Sequence, residues 1–250
     1  MNAPALATTH ADVLSRLNVP TARPFSEIQQ LAVAIKVLTH FDGCHVGMAY
    51  KDASTGLAKL LHFRWHHFVA SDVLSNTESS TRYRWVALNL PEEVAEVISQ
   101  FCSVFEEKHR AAPSRHIGSG LRYTDGTFKS DPLGFLTNDG CGLTCATFVM
   151  ALLKTYGLEL LRQEEWPQRL EDQSFHERIV QELEEKGAET EHVEAVRKEI
   201  GCARYRPEEV AAAALLGEFP VGFNQASSLG VEIARKLKQE QPSRLSRNAT

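Results

Sequence analysis

The chain reads as an α+β protein, a small antiparallel sheet packed on a cysteine-bearing helix, followed by a helical C-terminal extension. Three stretches predict this. "CHVGMAY" (44–50) and "LAKLLHFRW" (57–65) are short strand-like runs joined by a "KDASTG" turn, the pattern of a hairpin. "NDGCGLTCATFVMALLKTYG" (138–157) is a glycine-rich turn running into an apolar helix. From residue 165 onward the texture becomes charge-dense and helical.

Taken in order, residues 1–25 read as a loosely ordered arm. "FSEIQQLAVAIKVLTH" places Ile28, Leu31, Ala32, Ile35 and Leu38 at helical spacing, with Ser26 as the candidate N-cap, so a helix is expected. The hairpin follows the turn residues Asp42 and Gly43, and "RYRWVALNL" is a third strand candidate. "PEEVAEVISQFCSVFEEKH" is the clearest helix: Pro91 suits its first turn, and Val94, Val97, Ile98, Phe101, Cys102 and Phe105 form one stripe that puts Cys102 in the core. Residues 110–141 form a long Gly/Ser/Asp/Pro-rich connection, of a length often functional, with a short strand expected at "IGSGLRY". The cysteine helix ends near Gly157, a natural C′ residue. Three further segments read as helical: 174–201 weakened at Gly187, "RPEEVAAAALLG" with Pro207 near its start, and "SSLGVEIARKLKQ" before a polar tail. The divisions are 1–25, 26–160, 161–240 and 241–250.

Composition excludes several function classes. With 43% hydrophobic and 24% charged residues in 250, disorder is not suggested. Net charge of −5 offers no electrostatic reason to expect nucleic acid. No segment approaches the roughly 20 apolar residues of a membrane span, and the N-terminus has no basic start leading into an apolar run. Five scattered cysteines are unlike a disulfide framework, so a reducing cytoplasm is the expected compartment, though partner-guided export would leave no signature. Neither a phosphate loop, a dinucleotide fingerprint nor a G-x-S-x-G elbow is present.

The chemistry centres on Cys145. With Thr144 as cap, Cys145 sits in the first turn of its helix, where free N–H groups and the positive dipole end favour a thiolate and can hold an oxyanion. Gly140 and Gly142 would let the backbone turn and leave room for a substrate. Cys145, Val149, Leu152 and Tyr156 also share one helical face, so simple core packing stays open. A thiol nucleophile needs a base, usually histidine. His45 opens a strand directly after a turn, where it can project into a cleft or serve as a structural strand-end residue. If the hairpin pairs as drawn, His62 lies beside it and can orient its ring as a triad's third member does. His66 and His67 read as a solvated strand end, and His10, His40, His109, His176 and His192 show no pairing logic. Zinc held by Cys141, Cys145, His45 and His62 is disfavoured, because structural sites pair cysteines across a tight knuckle and no second pair exists.

"HVGMAY", a turn, "LLHF", and much later "CATFVMALL" resemble the circularly permuted branch of the NlpC-like papain-fold superfamily, to which lecithin:retinol acyltransferase and bacterial amidase-like proteins belong. There a His-x-Gly strand precedes the cysteine helix. The resemblance covers residues 40–157 and implies a permuted papain-like catalytic domain over 26–160, with Cys145 as nucleophile, His45 as base and His62 as orienting residue. Cys141 matches nothing in it, and neither do the long amphipathic helix of the spacer or the C-terminal third. The implied activity is cysteine-dependent hydrolysis or acyl transfer on an amide or peptide bond, cell-wall peptides and isopeptides included, with no metal or organic cofactor. Tyr123 is a weak candidate for a further oxyanion donor. Two rivals stand beside it: a non-catalytic module using its C-terminal helices for a protein partner or self-association, and an exported cysteine-hydrolase toxin.

Overall fold

Residues 31–37, expected within a helix, form a strand instead. The computed structural model describes residues 9–38, 43–111, 117–124, 128 and 142–240. In it β1 (Leu31–Val37), β2 (Cys44–Lys51), β3 (Ala58–Trp65), β4 (Phe68–Val73) and β5 (Arg84–Ala87) make one antiparallel sheet in the order β4-β3-β2-β1-β5. β1 is interior, pairing with β2 from Leu31–Tyr50 to Val37–Cys44 and with β5 on its other side. A short run such as "LAVAIKV" fits both periods, and burial on both faces decides between them. Val33, Ile35 and Val37 point to one core and Ala32 and Ala34 to another, which a two-sided central strand permits. Of the expected helix only a 3₁₀ turn at Phe25–Glu27 forms.

Residues 9–25, expected as a loose arm, are also structured. α1 (His10–Leu14) is capped by Thr9, Val13 and Leu17 are buried, and Asn18 exchanges backbone hydrogen bonds with Trp85 at 2.8 and 3.1 Å.

The hairpin β2–β3 is as expected, and so are the strand at 84–87 and α3 (Glu92–Ala111), which buries Cys102 completely. Between β3 and β5 lie β4 and the short α2 (Glu78–Thr81). α4 (Cys145–Lys154) is apolar on nearly every side and packs on β2 and β3. The expected strand at "IGSGLRY" amounts to a single parallel bridge, Ser119 to Leu143.

The segment 174–201 breaks at Gly187 into α5 (Gln173–Glu185) and α6 (Thr190–Arg197). α7 (Pro207–Leu216) and α8 (Phe223–Glu240) follow. Residues Val210–Leu215 are all buried, and α7 touches β1, β2, β5 and α4, so these C-terminal helices share the main core with the sheet and α4. A helix apolar all round is stable where it is enclosed, and here the sheet, α4 and α8 enclose it. No helix among the described residues is long and apolar enough to cross a membrane.

Candidate functional site

Cys145 is the first residue of α4. Thr144 caps the helix: its hydroxyl accepts the Thr147 N–H at 3.2 Å, and the Thr147 hydroxyl accepts the Thr144 N–H at 2.8 Å. The entry to this helix is held from outside by a backbone crossing. A Cβ on Gly142 would lie 2.3 Å from the Ser119 carbonyl carbon and 2.4 Å from the Gly120 nitrogen, so only glycine fits. Gly142 therefore serves the crossing of two backbone segments rather than room for a substrate, as its place in the sequence suggested. Gly140 lies outside the described residues, as does Cys141, so the four-ligand zinc arrangement extends beyond them.

The β2–β3 ladder runs from Lys51–Ala58 to Met48–Leu61 and stops. Ahead of it the backbone N–H groups of Val46 and Ala146 act on the Cys145 sulfur in the direction that favours the thiolate. Burial pushes the thiol up, while those two donors and the positive Arg204 oppose the shift. Cys145 thus rests as a neutral thiol, half-buried at a cavity.

His45 and His62 are in contact. His45 Nε2 lies 2.6 Å from His62 Nδ1, and His62 Nε2 lies 3.1 Å from Asp72 Oδ2 on β4. Gly47 makes this possible. It shares a strand face with His45, and a Cβ there would sit 2.7 Å from the His62 Cβ. The glycine of His-x-Gly is the space through which His62 reaches His45. The Asp72 carboxylate, held below its usual range first by the His62 hydrogen bond, accepts from His62 Nε2–H. His62 Nδ1 then accepts from His45 Nε2–H, leaving the lone pair of His45 on Nδ1. Burial depresses both histidines, His45 well below its ordinary value. Asp72 carries no sequence signal beyond lying in an alternating polar strand; only the register that sets Leu60 opposite Asp72 brings it to His62.

Cys145 and His45 line one cavity of about 300 Å³, together with Thr144, Phe63 and Trp65. Its far wall comes from the C-terminal third, through Phe175 and Ile179 of α5 and Arg204. Among the described residues no hydrogen bond joins the Cys145 sulfur to the His45 ring. Tyr123 packs T-shaped on Tyr205, at 5.8 Å between ring centroids.

His66 is not solvated. Its side chain is 8% exposed, and Nδ1 accepts the Ser119 N–H at 3.0 Å. His192 Nε2 donates to the Ser119 carbonyl at 2.8 Å, and His176 Nδ1 accepts the Gly201 N–H at 3.2 Å, so both have structural partners. Burial, with His67 and His192 nearby, pushes His66 down to about 4. His66, His67 and Glu189 offer ligand atoms within 4.8 Å of one another. Because the Ser119 N–H occupies Nδ1, the neutral His66 ring carries its proton on Nε2, 3.5 Å from the Glu189 carboxylate and not hydrogen-bonded to it, and a protonated nitrogen is not a metal ligand.

Compared with family models, with curated proteins and with solved structures, the chain matches none.

Proposed function

We propose that the chain is a cysteine-dependent hydrolase or acyl-transfer enzyme acting on an amide, ester or thioester carbonyl, with a peptide or other acyl group as substrate. What carries this reading is the hydrogen-bonded line Asp72–His62–His45, which leaves Nδ1 of His45 as a free acceptor in a histidine that lines the same cavity as Cys145. Both partners are held neutral, so activation takes place during attack rather than as a standing thiolate–imidazolium pair. The sulfur bonds to the carbonyl carbon as its proton passes to His45 Nδ1. The carbonyl oxygen takes the electron pair and is stabilised by the first N–H groups of α4. Collapse breaks the bond to the leaving group, which takes the proton from His45. Water or another acceptor then releases the acyl group by the same steps.

Electrospray mass spectrometry of the protein mixed with a simple acyl thioester tests this. Wild type is expected to gain the acyl mass at Cys145, and Cys145→Ala and His45→Ala to gain none. Acylation spread evenly over Cys145 and Cys202 would reject the reading, since burial holds the Cys202 thiol up at about 11.

A second reading, a binding module without catalysis, is favoured by the missing Cys145–His45 hydrogen bond. Ligand binding in the cavity with no acyl adduct in any condition would select it.

A further inference from the structure

The part of the cavity wall contributed by the C-terminal third carries a guanidinium that the described residues use only in part. Arg204 donates through Nη1 to Asp172 at 2.9 Å, and its Cζ lies over the Phe175 ring, 3.4 Å from the centroid. Asp172 is 1% exposed and also accepts Arg169 Nε at 2.8 Å and Arg206 Nε at 3.0 Å. The second buried carboxylate, Glu209, takes Arg169, the Trp166 indole N–H and the Arg206 backbone N–H. Three guanidiniums thus share two buried carboxylates. Glu208 lies within electrostatic reach of Arg204, and burial pushes its carboxyl up toward the neutral form. Glu171 meets Arg206 from solvent. Of the three arginines, Arg204 is the one on the cavity wall.

The remaining charges on the wall point the same way. Lys186 is paired with Glu182 at 2.9 Å and lies over the Trp65 ring, while Arg64 lies over the Phe68 ring. Among the described residues lining the cavity, Arg64, Lys186 and Arg204 face the single carboxylate of Glu182. Between these charges the surface is apolar, formed by Trp65, Phe175 and Ile179. At about 300 Å³ the space is at the small end of ligand sites, suited to one residue-sized group.

We propose that this cavity binds a residue-sized acyl or peptidyl group bearing a free carboxylate, with the carboxylate on the unused edge of Arg204 and the apolar body between Trp65 and the Phe175–Ile179 face of α5. The assignment deepens the enzymatic reading above and rests on it only for the word acyl. A planar guanidinium pre-set by Asp172 and Phe175 is suited to bidentate carboxylate recognition, and a lysine would lose that geometry.

The test is calorimetry on Cys145→Ser protein, with N-acetylphenylalanine and its carboxamide as the matched probes. The acid is expected to bind about 10-fold or more tightly than the amide, roughly 1.4 kcal/mol. In Arg204→Gln the preference disappears while amide binding is kept. Should Arg204→Gln fail to fold, the acid-to-amide ratio and its loss in Phe175→Ala decide. Equal affinity for the two probes overturns the proposal, and so does binding of neither below about 10 mM, or a preference that survives in folded Arg204→Gln. Acid-selective binding without any acyl adduct would keep the carboxylate site and remove the enzyme. Acylation of Cys145 indifferent to a carboxylate would do the reverse.

Discussion

His45 Nε2 stands 2.6 Å from His62 Nδ1, and Asp72, a residue of the third strand across, decides which ring carries which proton. Because an ionised carboxylate only accepts, the direction of donation is set along the whole line, and His45 Nδ1 is left as acceptor.

Removing the charge at Asp72 should alter pH dependence as well as rate. The Asp72 carboxylate raises the proton affinity of both histidines, partly offsetting their burial. For Asp72→Asn the acid limb of the kcat/KM profile is expected to move to lower pH, with a rate loss of roughly 10-fold. An unmoved acid limb would show that Asp72 merely packs.

Gly47→Ala should push His62 away. The added carbon lands 2.7 Å from the His62 Cβ and 2.8 Å from Leu60 Cδ1, inside a paired strand. Overpacking of this kind costs about 1–3 kcal/mol. Urea denaturation measures that cost, and loss of Cys145 acylation should accompany it. A variant as stable and as reactive as wild type would contradict the contact.

Acid should destabilise the fold early. His45, His62, His66 and His176 are all depressed by burial in the folded state. The unfolded chain therefore binds more protons, and stability is lost as pH falls from about 6.5 toward the lower folded values, about 4 for His66. Asp172 is shifted in the same direction but in a lower window: burial raises its carboxyl, Arg204, Arg169 and Arg206 outweigh that and hold it below the usual carboxylate value, so its contribution is kept until the pH falls to about 3.8 and is lost below that. The melting temperature should fall between pH 7 and pH 5, and less steeply in His66→Gln. A flat profile across that range would count against the neutral buried rings.

Truncating Asp172 should be severe. Replacing it by Ala leaves Arg169, Arg204 and Arg206 without their shared buried acceptor, a class of change that costs about 3–5 kcal/mol. Denaturant midpoints of Asp172→Ala against Glu171→Ala make the comparison, the exposed Glu171 being expected within about 0.5 kcal/mol of wild type.

Where the signal was local, it was readable along the chain. The hairpin follows from two β-rich runs around a turn, α3 from a single apolar stripe, and the start of α4 from Thr144, whose cap forms with its own near neighbours. The breaks at Gly187 and Gly217 follow from positive φ, which glycine adopts without a Cβ clash. The neighbouring of His45 and His62 followed from the hairpin together with the space left by Gly47.

Distant partners decided the rest. "LAVAIKV" became a strand because β2 and β5 were there to pair with it and two cores were there to fill. Asp72 joined the histidines through the register of β3 with β4. His66, His176 and His192 became structural because backbone groups of Ser119 and Gly201 fold onto them from far along the chain. The far wall of the Cys145 cavity came from α5 and Arg204, in a part of the sequence that reads only as a charged helical extension. Turns, caps and periodicity depend on residues a few positions apart. A relay of side chains and the wall of a cavity depend on which elements the buried surface brings together.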